Sequence, residues 1–151
     1  MLRLLADLAL FSPDLPMNAK LILLVDDELY VTSVIAQQLR PRGFEVAVAS
    51  DGAEALALIK ERRPDLIVSD YQMPQITGME MAARLCDDPA TMQIPIIMLT
   101  AREHCLNASE LAQTNIRAFM AKPFSIKQLL GNIERLLTAG MTDSPPLRRT
   151  A

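Results

Sequence analysis

The chain has 151 residues, 50 % of them hydrophobic and 22 % charged, with a formal charge of −3. That is the size and mixture of one globular domain around a single core. The acidic balance argues against nucleic acid as a main partner, and the absence of Trp argues against an aromatic base-stacking platform. No apolar run reaches the ~18–20 residues that a membrane-spanning helix needs.

The first residues, Met1–Phe11, carry Arg3 ahead of an apolar stretch, as a secretory leader would. Asp7 interrupts that stretch, and no small-x-small cleavage site precedes Pro13 and Pro16. Residues 1–18 are therefore read as an N-terminal extension of a cytoplasmic protein. Leu21–Val25 follows as a short continuous apolar run, the pattern of a strand buried on both faces. Beyond Asp26 and Asp27, the spacing of Val31, Val34, Ile35 and Leu39 predicts a helix, punctuated by Pro41 and Gly43. Glu45–Ala49 reads as a second strand. Asp51 then caps a helix that turns Ala55, Leu56 and Ile59 inward and stops before Pro64.

Leu66–Ser69 is the third predicted strand and ends at Asp70. A loop containing Pro74 leads to Gly78 and a helix through Met81, Ala82 and Leu85, closed by Asp87-Asp88-Pro89. Ile96–Leu99 is the fourth strand, ending at Thr100, and a weaker helical pattern runs through Leu106 and Leu111. Ala118–Ala121 makes a short fifth strand before Lys122-Pro123. Ser125 then caps a helix striped by Ile126, Leu129, Leu130, Ile133, Leu136 and Leu137. Residues 139–151 are polar with Pro145-Pro146 and read as a disordered tail, leaving 19–138 as the folded domain. Successive strand-then-helix units imply right-handed crossovers and a parallel sheet covered on both faces, a doubly wound α/β fold. Cys86 and Cys105 are too far apart for a CxxC motif and read as reduced, apolar side chains.

In such a sheet, ligands bind beyond the carboxyl ends of the strands. Those ends here carry Asp26 and Asp27, Asp70, Thr100 and Lys122. Any one of them alone is most simply a helix cap or a surface charge; five at one edge outweigh that reading. Clustered carboxylates repel unless a cation joins them, and an all-oxygen set suits a hard divalent ion such as Mg²⁺. His104, the single histidine, falls in a helix-forming stretch and reads as a solvated surface residue. Asp70 has the chemistry of a nucleophile toward a phosphoryl group. Lys122 and Thr100 are suited to holding the transferred oxygens.

The motifs Leu23-Leu24-Val25-Asp26-Asp27-Glu28, Asp70-Tyr71-Gln72-Met73-Pro74 with Gly78, Thr100-Ala101 and Lys122-Pro123-Phe124 stand in that order along the chain. Together they resemble the receiver domain of two-component response regulators over roughly residues 19–138, in a stand-alone form. The resemblance implies a flavodoxin-like five-stranded fold, with Asp70 as phosphoacceptor. Asp26, Asp27, Asp70 and the Gln72 backbone carbonyl would hold Mg²⁺. It further implies Thr100 and Phe119 as switch residues, a cis Lys122–Pro123 bond, and Gln72 and Arg102 as residues that tune phosphoryl lifetime. The implied partners are a histidine kinase or phosphotransfer protein and a downstream protein target, with no direct nucleic-acid or membrane binding. Asn115 stands where glycine often follows the fourth helix of the family, and Asn also tolerates the left-handed conformation. Two alternatives stay open. One is an Asp-nucleophile phosphatase of the haloacid-dehalogenase type, whose Asp-x-Asp motif the adjacent Asp26-Asp27 does not match. The other is a receiver-like scaffold that acts without phosphorylation.

Overall fold

The computed structural model describes residues 19–101, 112 and 114–139. The helical pattern through Leu106 and Leu111, Arg102, His104, Cys105 and the two terminal segments lie outside the described residues. Within them the chain runs β1 (Leu21–Val25), α1 (Leu29–Leu39), β2 (Glu45–Ala49), α2 (Gly52–Glu61), β3 (Leu66–Asp70), α3 (Gly78–Cys86), β4 (Ile96–Thr100), β5 (Ile116–Ala121) and α4 (Ile126–Ala139). The strands form one parallel five-stranded sheet in the order β2-β1-β3-β4-β5.

Alternation along the strands divides the core into two. Ile22 and Leu24 face one side with Val68, Ile97 and Leu99, where Ile35, Ala36 and Leu39 of α1 meet Leu129, Leu130 and Ile133 of α4. Leu23 and Val25 face the other with Ile67 and Met98, under Ala55 and Ile59 of α2 and Met81, Ala82 and Leu85 of α3. Every residue of β1, β3 and β4 is buried, which explains why their apolar residues run consecutively, over Leu21–Val25, Leu66–Val68 and Ile96–Leu99, rather than alternating.

Local chemistry accounts for most boundaries. At Pro41 the α-helix gives way to a 3-10 turn over Arg40–Arg42, and Gly43 at φ 90° reverses the chain into β2. Asp51 caps α2 by accepting from the Glu54 amide at 2.7 Å, and Ser125 caps α4 by accepting from the Gln128 amide at 3.3 Å. β5 begins at Ile116, two residues earlier than its sequence pattern predicts. Its pairing with β4 slips between Ile96 and Ile97, so that Arg117 is skipped and Ile116 and Ala118 join opposite halves of the core. α4 continues to Ala139, one residue past the predicted domain limit.

Candidate functional site

The strand order places the topological switch point between β1 and β3, since the chain leaves β1 toward β2 on one side and returns as β3 on the other. The carboxyl ends of those two central strands deliver Asp26, Asp27 and Asp70. Asp26 is fixed twice: its amide donates to the Ala49 carbonyl at 3.1 Å, and its Oδ1 accepts from the Glu28 amide at 2.9 Å. One carboxylate oxygen from each of Asp26, Asp27 and Asp70 lies within 4.8 Å of the others. Asp26 and Asp70 are buried, while Asp27 is exposed.

Lys122 reaches this group from the end of β5, with Nζ 3.0 Å from Asp26 Oδ2 and 3.3 Å from Asp70 Oδ1. Its backbone amide donates to the Thr100 carbonyl at 2.7 Å, which ties the ends of β4 and β5 together beneath the site. The Lys122–Pro123 peptide that follows is cis. Burial raises the Asp70 carboxyl above its ordinary range and the charge of Asp26 adds to the rise; Lys122 and a hydrogen bond from the Gln72 backbone oppose it without cancelling it. Burial pulls Lys122 down, but its hydrogen bond to Asp26 and the two nearby carboxylates outweigh that, so it stays an ammonium well into the basic range.

Among the described residues, one ammonium thus faces three carboxylates, two of them buried, and negative charge is left over. An all-oxygen donor set with surplus negative charge fits a hard divalent cation. Among the described residues, neither the imidazole nor the thiolate ligands that would direct the site toward zinc belong to the cluster.

The other residues singled out from sequence are placed around this centre. Thr100 is buried at the end of β4, and Phe119 is half-buried opposite Met98 in the β4–β5 register. Gln72 is exposed in the β3–α3 loop. Arg102 lies outside the described residues.

The β3–α3 loop holds features that the sequence pattern did not isolate. Thr77 Oγ1 accepts from the Glu80 amide at 3.1 Å while Glu80 Oε1 accepts from the Thr77 amide at 3.3 Å, a capping box readable in principle from Thr-x-x-Glu. Gly78 packs so closely under the site that a Cβ there would lie 2.6 Å from the Asp70 carbonyl oxygen and 2.7 Å from Met98 Sδ. Gln75 adopts φ 69° and is spanned by a 2.8 Å hydrogen bond from the Ile76 amide to the Pro74 carbonyl, a γ-turn of the strained hand. An open hollow of about 330 Å³ lies beside this loop, lined by Asp27, Tyr71, Gln72, Met73, Pro74 and Thr77.

A doubly wound sheet with an acidic cluster at its switch point, one lysine and one buried threonine defines a receiver module. Comparison with known proteins agrees: residues 22–134 match the response regulator receiver domain, and the chain belongs to that family. It is similar to the phosphate regulon transcriptional regulatory protein PhoB of Pseudomonas aeruginosa, 38 % identical over 121 residues that make up 80 % of this chain and 53 % of that protein. It is also similar to the alkaline phosphatase synthesis transcriptional regulatory protein PhoP of Bacillus subtilis, 33 % identical over 85 % of this chain and 52 % of that protein. The chain therefore spans about half the length of these curated relatives.

Among solved structures, the chemotaxis response regulator CheY4 of Vibrio cholerae superposes with a TM-score of 0.72 at 31 % identity, over 79 % of this chain and 99 % of that one. A CheY-like receiver domain protein from Methanospirillum hungatei gives a TM-score of 0.75 at 26 % identity, over 82 % and 98 %. Membership of this family displaces the haloacid-dehalogenase reading. No helix among the described residues is long and apolar enough to cross a membrane.

Proposed function

We propose that this chain is a phosphorylation-controlled switch of a two-component or phosphorelay pathway, in which Asp70 accepts the phosphoryl group. The observation that carries this reading is the cluster of Asp26, Asp27 and Asp70 within 4.8 Å, bridged on one side by Lys122. Mg²⁺ held by the three carboxylates and the Gln72 backbone carbonyl would supply positive charge against the transferred oxygens. An Asp70 Oδ attacks phosphorus, the bond to the donor atom breaks, and the leaving group departs with its electron pair. A phosphohistidine donor leaves as imidazole and a small acyl phosphate as carboxylate. Lys122 pairs with the oxygens of the group as it arrives, and the Thr100 hydroxyl hydrogen-bonds one of them.

Phosphate on Asp70 then draws Thr100 inward and lets Phe119 move into the space behind it, shifting a two-state population that a downstream protein reads on the segment around residues 103–135. The donor is a histidine kinase or phosphotransfer protein, the compartment is the cytoplasm, and no separate substrate is turned over. Residues 19–138 form the switch; residues 1–18 and 139–151 are accessory to it.

Incubation with acetyl phosphate and Mg²⁺ followed by intact-mass measurement tests the proposal. A stable gain of one phosphoryl group that Asp70→Asn abolishes is the expected result. Turnover without gain points to a phosphatase, and no reaction points to a phosphorylation-independent scaffold. Arg102, two residues beyond Thr100, is expected to obstruct the in-line approach of water to the phosphorus. Arg102→Ala should speed loss of the phosphoryl group at least about threefold, a barrier change of ~0.7 kcal/mol. An unchanged or slower rate with saturating Mg²⁺ rejects that shielding role.

A further inference from the structure

The start of α2 is attached to both segments that carry the acidic residues. On one side, the Ala49 carbonyl, just before the α2 cap, accepts from the Asp26 amide at 3.1 Å. On the other, Gly52 packs against the β3–α3 loop so tightly that a Cβ at Gly52 would lie 2.9 Å from Ile76 Cβ and 3.1 Å from the Ile76 carbonyl oxygen. Between these points Asp51 caps the helix through the Glu54 amide at 2.7 Å. The Glu54 carboxylate reaches back to the Ser50 amide at 2.5 Å and the Ser50 hydroxyl at 3.2 Å. Residues 49–54 are thus a hydrogen-bonded unit braced between the Asp26 end of β1 and the loop that follows Asp70.

The loop is shaped to press on that unit. The γ-turn at Gln75 bends the chain sharply before Ile76 and directs it against Gly52. The far end of the loop is pinned where the Gly78 amide donates to the Tyr71 carbonyl at 2.9 Å. A loop closed at both ends and pressed on a helix start has little freedom to readjust when the acidic residues at its root are drawn together. We propose that Ile76 is a positioning residue for cation binding: its contact with Gly52 holds the β3–α3 loop in a binding-ready shape and passes the occupancy of the acidic cluster to the start of α2. This inference rests on the cation reading given above and adds a second outlet to it, on the β2–α2 side of the sheet and away from Thr100 and Phe119. Coupling of this kind is reciprocal, so whatever binding does to the contact, loss of the contact does to binding.

The test is a Mg²⁺ titration of the full chain read by calorimetry and by amide deuterium exchange. In the unaltered protein, saturating Mg²⁺ is expected to slow exchange at least about threefold both at residues 23–28 and at residues 52–54. In Ile76→Ala, Mg²⁺ affinity is expected to fall at least threefold and the response at 52–54 to vanish, while the response at 23–28 persists at saturation. Ile76→Val keeps the Cβ and Cγ2 that meet Gly52 and is expected to match the unaltered protein in both readings, while Gly52→Ala, whose Cβ would force Ile76 away, is expected to lower Mg²⁺ affinity at least threefold and keeps the test open if Ile76→Ala does not fold. Ile133→Ala, which thins the core on the opposite face of the sheet, is expected to change neither reading. No Mg²⁺ response at 23–28 in the unaltered protein overturns the cation reading and this inference with it. A response at 23–28 without one at 52–54 overturns this inference alone. So does a full response at 52–54 in Ile76→Ala, or equal loss in Ile133→Ala.

Discussion

Replacing Asp70 by asparagine should make the metal-free protein more stable at neutral pH. The Asp70 carboxylate has two like-charged neighbours within 4.8 Å and one ammonium, at 3.3 Å, that it shares with Asp26. At an effective dielectric constant of ~20, each repulsion at that separation is roughly 3.5 kcal/mol and the attraction is roughly 5 kcal/mol. Burial disfavours the Asp70 charge most, the Asp26 carboxylate adds to that, and Lys122 offsets only part of the two together. Solvent screens the exposed Asp27, whereas burial of Asp70 acts in the same direction as the repulsion. A net gain of about 1–2 kcal/mol on Asp70→Asn is expected. The pH dependence follows from the sign of the shift. Because folding raises the carboxyl above its unfolded value, the wild-type protein loses stability as pH rises through the folded-state titration. The advantage of asparagine is therefore present at pH 7 and fades below about pH 4, where both states of the wild-type group are protonated. Urea unfolding in a chelating buffer, repeated across pH, measures it. Mg²⁺ at a hundredfold excess over its Kd adds about 2.7 kcal/mol to a protein that binds it, so the ranking should invert when the cation is supplied. An asparagine variant no more stable than wild type at pH 7 without metal, or an advantage undiminished below pH 4, refutes the reasoning.

Other expectations follow from single contacts. Gly78→Ala places a Cβ 2.6 Å from the Asp70 backbone oxygen, which cannot move without shifting the acceptor strand. A stability loss of about 2–3 kcal/mol is expected by urea unfolding, and a loss under about 0.5 kcal/mol would show that α3 slides freely. Thr77→Ala removes half of the capping box and should cost about 1 kcal/mol, while Thr77→Ser, which keeps the hydroxyl, should cost much less. Lys122→Ala is expected to leave residual phosphorylation by acetyl phosphate at a reduced rate; a rate equal to wild type would remove Lys122 from the transfer step.

The sheet and its carboxyl edge were legible in the sequence because β1, β3 and β4 are buried on both faces. They could only be written as apolar runs, each broken by a polar residue where the strand leaves the core. Asp26 and Thr100 stand at those breaks, and Asp70 one residue past the break at Ser69. β5 was harder to delimit, since the charged Arg117 interrupts its apolar residues near the start and the slip in pairing at that point has no sequence signature. Gly78 was visible as a helix opener, but its contact with the Asp70 carbonyl depends on how β3 and α3 cross, and no local pattern records that. The γ-turn at Gln75 left no signal at all, because a glutamine with positive φ is imposed by the closure of the loop rather than by its own preference.

The placement of the site within the sheet has a mechanical consequence. The three carboxylates come from β1 and β3, the paired central strands, which have core on both faces and neighbours on both edges. Asp26 and Asp70, buried at the ends of those strands, have little room to separate, so their repulsion persists until a cation or a proton removes it. Lys122 and Phe119, by contrast, come from β5, a strand with one neighbour, whose buried and half-buried residues alternate. Displacing a half-buried side chain on an edge strand gives up little apolar contact, of order 1 kcal/mol per methylene newly exposed. Displacing β1 or β3 would open both halves of the core. Under the proposed switch, a charge change at Asp70 would be answered by the edge strand and resisted by the centre, a fixed chemical site beside a movable outer strand.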